Sequence, residues 1–572
     1  MHGAHGANRG YIGRVISSGR RSLRSLTPSK CRCAHDLPRL VTVLHCSGMR
    51  IYSLYRAALR LGALIALGHP SALAAQQRVD LLLRNGTVVD GTGAPRRRAD
   101  VGITGDRIAF VGDAAASHVT ATKAIDAAGL IVAPGFIDPH THTAGDLSNP
   151  NRKANLAYLM QGVTTVVTNN DGGGSIQIGK LLDAWTTNGI GTNAAVFIGQ
   201  GSVRGAVMGM SDATPTPRQL DSMRTLVARG MDEGAIGMST GLYYAPGSYS
   251  STEEVIELAK VAAAKGGIYD SHIRDESSYT VGLIASVNEV VRIGREAHMP
   301  VHISHIKALG ADVWGLSDSV IAIMKRARAD GIDIAACQYP YTASGTSVGA
   351  SLLPRWAEVG RRDSLAWRIR DPATHRRLVG EMTENMRRRG GPNTLLIVGG
   401  RDSTIRGKRL DEVARTWTTT PIEAAMRIIL AGDAGVASFN MDEKDIQNFM
   451  KQDFIVTCSD GSDGHPRKYG TFPKLFHEYV QQKHVLTLER AVERSSGEAA
   501  KILHLKDRGV LAPGEYADVV AFDPATFADR ATYEQPTLPA VGVRYLFVNG
   551  VPTIDDGTYT GATGGRALRR ER

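Results

Sequence analysis

Two histidines that could bind a metal ion, His140 and His142, follow an apolar run in the segment "VAPGFIDPHTHTAGDL", residues 132–147. Alternate side chains of a β-strand point to one face, so His140 and His142 would present their imidazoles together, with Cα atoms about 6.5–7 Å apart. Imidazole is a common ligand of transition-metal ions. The pair predicts half of a metal site if other ligands converge on it, and two incidental histidines if none do.

Polar residues also close other apolar, strand-like segments. Asp171 ends the second segment, His272 and His305 lie in the fifth and sixth, and Asp460 ends the eighth. Four histidines and two aspartates at the ends of neighbouring strands would share one cavity, which is typical of a metal site. For Asp171 a turn-capping role beside Gly172–Gly174 is the competing interpretation.

The strands and helices that would position these residues predict an α/β fold. Eight apolar segments alternate with helical patterns and predict a (β/α)8 TIM-type barrel within residues 132–500, with its chemistry at the C-terminal strand ends. The eight segments cover residues 131–142, 162–171, 193–200, 234–241, 267–274, 301–307, 333–342 and 453–461. A polar, Arg-rich stretch at about 350–450 predicts an insertion over the barrel mouth.

The two ends of this chain show a different sequence pattern from the central part. Residues 77–131 and 501–557 read as short strands separated by turns such as Asn85-Gly86, and together they predict a small β-sandwich built from both termini. Residues 558–572 are predicted to be a disordered tail.

The first 76 residues predict a leader. From Met49 the chain shows a basic stretch, an apolar run over residues 61–67 and the small residues Ala72–Ala75, the order found in signal peptides. The apolar run is too short for a permanent membrane anchor. We expect translation to start at Met49 and the product to be periplasmic or secreted. A disordered basic tail on a cytosolic protein is the alternative.

The charge distribution argues against a nucleic-acid-binding protein, and the cysteine content argues against a disulfide-rich one. The net charge is +11, but residues 1–60 hold eleven basic residues and one acidic one, and the other 56 basic and 55 acidic residues nearly cancel. This distribution offers no basic footprint for nucleic acid. Outside the leader only Cys337 and Cys458 remain, too few for a disulfide framework.

Several motifs in this chain resemble those of the amidohydrolase superfamily, and specifically of its D-aminoacylase (N-acyl-D-amino-acid deacylase) branch. They run in family order from about residue 79 to 555: "APGFIDPHTH", "GVTTVVTNNDG", "GSVRGAVMG", "GAIGMSTGLYYAPGSYSSTEE", "YDSHIRDE", "HISHIKALG", "YPYTASGTS", "SDGSDGHPRKYGTFPK" and "DRGVLAPGEYADVVAFDP".

The resemblance implies a role for each candidate. His140 and His142 would hold one metal position, His272 and His305 the other, and a residue of the second strand would support it. Asp460 would act as general base and then as general acid. The substrate carboxylate would be bound by residues of the later strands: Lys307, Tyr339 or Tyr341, and Arg467, with Arg204 in a segment that lines the same pocket. For Lys307 and Arg467 solvated surface charge is the alternative.

Three departures from related patterns bear on the metal. Asp171 stands where the D-aminoacylase pattern has Cys, so the site should accept Zn²⁺ but also Mn²⁺ or Co²⁺. Gln200 stands where His is common. The fourth segment contains no lysine, so the lysine-bridged mechanism of hydantoinase-like relatives is not expected.

The sequence therefore predicts a metal-dependent hydrolase with one or two Zn²⁺ ions that cleaves N-acyl-D-amino acids into a carboxylate and a D-amino acid. Its partner would be this small molecule, with no nucleic acid and no stable membrane insertion. Two alternatives stay open: an amidohydrolase acting on a cyclic amide, a dipeptide or another N-acylated compound, and a catalytically silent binding protein on the same fold.

Overall fold

The computed structural model describes residues 77–360 and 362–570. The predicted leader falls within residues 1–76, outside this part of the chain, and stays a prediction. Among the described helices, none combines the length and the apolar character needed to cross a membrane.

Eight parallel strands form the centre of the fold, and the predicted barrel is confirmed. We number them β1 to β8: Phe136–Asp138, Val163–Thr168, Asn193–Val196 continued by Ile198–Gly199, Gly237–Gly241, Ile268–His272, Val301–Ile303, Ile334–Gln338 and Ile455–Thr457. Each strand is hydrogen-bonded to the next. Beyond the ends of β1 and β8, a bridge between Thr141 and Gly461 closes the ring.

Helices surround the barrel because each strand is buried on both faces and needs an apolar layer outside it. The helix over Leu283–Ala297, for example, buries Leu283, Val287, Val290 and Val291 on one stripe. The other barrel helices of eight or more residues are Ile178–Asn188, Gln200–Met208, Pro217–Asp232, Thr252–Ala263, Ser317–Ala329, Glu443–Met450, Arg467–Lys474, its π-helical continuation Leu475–Gln482, and Leu488–Ser495.

The insertion follows β7 directly and spans residues 343–439, so it begins somewhat earlier than the polar composition suggested. Its three antiparallel strands are Ala343–Ser347, Gly435–Phe439 and Leu395–Ile397. Its helices are Val348–Leu352, Arg362–Arg370, Pro372–Arg388, Leu410–Thr416 and Pro421–Leu430. They bury an apolar cluster of their own.

Strands from both ends of the described chain form the small β-domain, in one hydrogen-bonded sheet of nine strands. The two contributions meet where Ile131–Pro134 pairs antiparallel with Val519–Phe522. The path runs Thr558–Tyr559, Val551–Asp555, Val543–Val548, Val519–Phe522, Ile131–Pro134, Arg78–Val88, Arg97–Thr104 and Arg107–Gly112, with Thr120–Asp126 beside Arg78–Val88.

The disordered tail expected from residue 558 is wrong for residues 558–570. Thr558–Tyr559 adds a strand to the β-domain, and the segment after it lies beside the start of β3. There the Ala194 N–H donates to the Arg566 carbonyl at 2.9 Å, and the Leu568 N–H donates to the Ala194 carbonyl at 2.8 Å. The polar composition of the tail did not reveal this pairing, because main-chain groups make it.

We expect a chain ending at Ala562 to unfold at a lower temperature. It loses four backbone hydrogen bonds that residues 565–570 make with residues 190–234. At about 0.5–1.5 kcal/mol each, the free energy of unfolding should fall by roughly 2–6 kcal/mol. Calorimetry of the truncated and full chains checks this.

The control is Arg569→Ala, which removes the ion pair of the half-exposed Arg569 with Asp183. An exposed pair of this kind contributes at most about 1 kcal/mol. Equal unfolding temperatures for the truncated and full chains would contradict the packing described above.

Candidate metal centre

Four histidines converge at the C-terminal end of the barrel, as their positions after the strands predicted. His140 and His142 follow β1, and their ring centroids lie 5.4 Å apart. His272 ends β5 and His305 follows β6, with His272 Nδ1 2.9 Å from His305 Nε2. The rings of His140 and His305 are 4.6 Å apart, so the two pairs form one cluster.

The Asp171 carboxylate lies at the centre of this cluster. Its Oδ1 is 3.5 Å from His140 Nε2, 3.5 Å from His272 Nδ1 and 3.4 Å from His305 Nε2, and its Oδ2 is 3.5 Å from His142 Nε2. The capping interpretation is not supported, because the Gly172 N–H donates to Ser239 Oγ and the Gly173 N–H to the Asn170 carbonyl.

The ligand atoms fall into two groups that share Asp171. One comprises His140, His142, Asp171 and Asp460, and the other Asp171, His272 and His305, each with its atoms within 4.8 Å of one another. Both ring nitrogens of His140, His272 Nε2 and Asp171 Oδ1 are buried without a hydrogen-bond partner among the described residues. Orphaned buried donors and acceptors of this kind fit a bound metal ion.

Asp460 stands between the ligand cluster and a cation. Its Oδ1 is 3.0 Å from His142 Nε2 and 3.6 Å from His140 Nε2, while its Oδ2 is 2.8 Å from Arg467 NH1. Asp460 follows β8, and its N–H donates to the His140 carbonyl at 2.9 Å, which ties the ends of β8 and β1 together. The carboxylate is therefore held beside the metal ligands.

Glu276, which our sequence analysis missed, orients one ligand. Its Oε1 lies 3.3 Å from His305 Nδ1 and within hydrogen-bonding distance of Lys307 Nζ, and Lys307 Nζ is itself 2.7 Å from His305 Nδ1. A carboxylate on the far nitrogen of a metal-binding histidine fixes its tautomer and ring orientation. The "HIRDE" sequence, with an acid four residues after His272, was the available signal.

Glu276→Gln should weaken metal binding or activity by about 10–100-fold, the usual effect of losing such an orienting partner. Metal titration of the metal-free protein measures it directly. Glu289→Gln is a matched control, because Glu289 pairs with Arg274 and does not line the cavity. Unchanged metal affinity in Glu276→Gln would remove Glu276 from the centre.

The cations of the site keep its carboxylates ionised. Burial raises the pKa of Asp460, but Arg467 and the neighbouring histidines outweigh it and hold this pKa below its usual range. Burial likewise raises the pKa of Glu276, but Lys307, His272 and His305 outweigh it and hold this pKa below its usual range. Burial also raises the pKa of Asp171, but His140 and then the other histidines outweigh it and hold this pKa well below its ordinary value. All three are anionic at neutral pH and attract a cation.

Three of the site residues adopt left-handed backbone conformations. Asp171 has φ 56°, His305 φ 33° and Asp460 φ 48°. Asp, Asn and His are the non-glycine residues that tolerate this region best, and strained residues cluster at functional sites. At each strand end this turn directs the side chain into the cavity.

The cluster opens into a cavity of about 400 Å³. Lys307, Tyr339 and Arg467, three of the predicted substrate-binding residues, line it. The Arg467 guanidinium carbon lies 4.6 Å from the centroid of the Tyr339 ring and the Lys307 ammonium 5.7 Å from it. Neither cation is solvated surface charge, since both side chains are buried.

Two of the predicted substrate-binding residues, Arg204 and Tyr341, do not line the cavity. Arg204 is fully buried and turned away from the cavity: its Nε donates to Glu254 at 3.1 Å and its other nitrogens to the Ser211 and Ala213 carbonyls. Tyr341 packs edge-on against the His465 ring and does not line the cavity.

The departures noted in the sequence have structural counterparts. Gln200 is buried, and its amide donates to Ser250 Oγ at 2.8 Å, away from the metal ligands. No lysine lies on β4, and the position between the two histidine pairs is occupied by Asp171. Sequence reasoning also missed cavity residues outside the barrel strands, namely Tyr243, Tyr244, Arg389 and His465.

Comparisons with known proteins agree with this geometry. The model of the amidohydrolase family matches residues 123–554. A D-aminoacylase from Alcaligenes xylosoxydans xylosoxydans is 35% identical over 521 residues, which cover 86% of this chain and 98% of that protein.

Two solved structures have the same fold. A D-aminoacylase studied for its binuclear metal centre is 33% identical, with a TM-score of 0.74 over 86% of this chain and 100% of its own. N-acyl-D-glutamate deacylase from Bordetella bronchiseptica, in complex with zinc and a phosphonate inhibitor, is 32% identical, with the same TM-score and coverage. The chain therefore belongs to the amidohydrolase family, as a metal-dependent member of its D-aminoacylase group.

Proposed function

We propose that the protein hydrolyses the amide bond of N-acyl-D-amino acids and releases a carboxylate and a D-amino acid. One observation carries the proposal: the metal ligands, the Asp460 carboxylate and the buried cations Lys307 and Arg467 share one cavity. This combination suits a substrate with a hydrolysable amide beside a free carboxylate. The relatives support the D configuration through the activities in their names.

Metal ions held by the histidines and Asp171 would supply Lewis acidity, which lowers the pKa of water and polarises a carbonyl group. Zn²⁺ suits this ligand set, with one or two ions, and the oxygen ligand Asp171 also admits Mn²⁺ or Co²⁺.

The chain's own residues then supply proton transfer and binding. Asp460, ionised and next to the metal ligands, takes the proton of the attacking water at a carboxylate oxygen and returns it to the leaving nitrogen. Arg467 pairs the other oxygen of Asp460, and its buried Nε has no hydrogen-bond partner among the described residues. That N–H, with the Lys307 ammonium, is available to the substrate carboxylate.

A panel of N-acetyl amino acids of both hands tests the proposal with the zinc-loaded protein. We expect release of free amino acid from D substrates, loss of that activity with a chelator and recovery with Zn²⁺. Turnover of cyclic amides or dipeptides but not of N-acetyl-D-amino acids would assign the site to another amidohydrolase reaction. Metal binding without any hydrolysis would indicate a binding protein.

A further inference from the structure

Arg389 brings a third cation to the cavity from the insertion. It directly follows the helix Pro372–Arg388, and its side chain is only 2% exposed although it lines the cavity. No barrel strand contributes to its position, so it is independent of the metal ligands.

The partners of Arg389 within the described residues are all neutral. Nε donates to the Ser351 carbonyl at 3.2 Å, NH1 to Ser438 Oγ at 3.0 Å and NH2 to the Tyr243 hydroxyl at 3.3 Å. A guanidinium has five N–H donors, so two remain.

Other buried arginines near the site differ in this respect. Arg204 pairs with Glu254 and Arg467 with Asp460. Arg389 forms no ion pair with any described carboxylate. A buried charge without a counter-ion is unfavourable, and a planar carboxylate satisfies two parallel N–H donors of a guanidinium at once.

Arg389 contacts a different aromatic side chain from the one that Lys307 and Arg467 share. Tyr243 accepts from its NH2 group, and the Tyr243 ring is 5.6 Å from the ring of the metal-ligand candidate His272. One aromatic side chain therefore separates the guanidinium from the ligand cluster. Lys307 and Arg467, by contrast, both lie near the Tyr339 ring. The cavity thus has cations beside two different aromatic side chains, Tyr243 and Tyr339.

We propose that Arg389 binds a second carboxylate of the substrate, so that the preferred substrates are N-acyl-D-amino acids with two carboxylates. The inference rests on the proposed function. The second carboxylate belongs either to the amino-acid side chain, as in N-acetyl-D-glutamate or N-acetyl-D-aspartate, or to the acyl group, as in N-succinyl-D-leucine.

The zinc-loaded wild type and the variant Arg389→Met are compared on N-acetyl-D-glutamate, N-acetyl-D-aspartate, N-succinyl-D-leucine and N-acetyl-D-leucine. For the preferred diacid we expect kcat/KM to fall at least 100-fold in the variant, mainly through KM. For N-acetyl-D-leucine it should change less than 5-fold. The diacid that shows the loss identifies which carboxylate Arg389 binds.

Arg355→Met is the matched control. Arg355 also lies over the Tyr243 ring, 4.4 Å from its centroid, but it pairs with Glu358 and does not line the cavity. It should not change the preference between diacid and monoacid. Arg389→Lys keeps the charge and should retain part of that preference, which separates a charge effect from loss of folding.

Equal losses on all substrates in Arg389→Met, or a wild type that prefers N-acetyl-D-leucine, would overturn the role of Arg389 and leave the deacylase function intact. A wild type that binds zinc but releases no amino acid from any of the four substrates would overturn the deacylase function, and the inference with it.

Discussion

Asp460→Asn should lower kcat by a factor of about 10²–10⁴ or more, because proton transfer by a positioned carboxylate contributes that much. The amide keeps the shape of the side chain but cannot take up the proton of a water molecule. Asp460 does not belong to the group formed by Asp171, His272 and His305, so that metal position should survive. Steady-state kinetics and metal analysis of the same preparation measure both effects.

Asp463→Asn provides the control, since it changes the same residue type on the same loop. Asp463 lines the outer cavity but pairs with Arg152 and Lys468, with its side chain 67% exposed. Its kcat should stay within a few-fold of wild type. Near-normal turnover in Asp460→Asn would exclude Asp460 as the proton-transfer group.

Asp171→Ala should lower metal affinity at least about tenfold in both ligand groups, because its carboxylate is the residue they share. Removing the central anion also leaves four histidines facing one another, which disfavours a cation. Titration of the metal-free variant with Zn²⁺ and with Mn²⁺ gives the affinities. Normal metal content combined with only a lower unfolding temperature would reduce Asp171 to a turn residue.

The variant Asp171→Cys tests how the ligand type at residue 171 affects metal preference. A thiolate is a softer ligand than a carboxylate, so the variant should favour Zn²⁺ over Mn²⁺ more strongly than wild type does. The backbone at residue 171 is left-handed, with φ 56°, a conformation in which Asp is common and Cys is not. Some loss of stability should therefore accompany the change in metal preference, and the two are measured separately.

The cluster of candidate metal ligands could be predicted because each residue stands at or shortly after the end of an apolar strand, and a closed barrel brings its strand ends together. The positions of Arg204 and Tyr341 could not be predicted in this way. Arg204 lies on a helix and Tyr341 in the loop after β7, and the spacing of the strands does not determine the direction of either side chain. Arg389 and Glu276 reach the cavity from an insertion helix and a loop. Only the folded chain places such residues.

The pairing of β3 with residues 566 and 568 bears on the order in which the chain folds during its synthesis. Ala194, at the start of β3, bonds to Arg566 and Leu568, which are made more than 370 residues later. The sheet of the β-domain likewise needs strands from beyond residue 519. During synthesis, the main-chain groups of Ala194 therefore stay without these partners until residues 566 and 568 have been made, although the neighbouring strands β2 and β4 already precede them in the chain. We therefore expect the docking of residues 565–570 beside β3 to be a late step in the folding of the nascent chain.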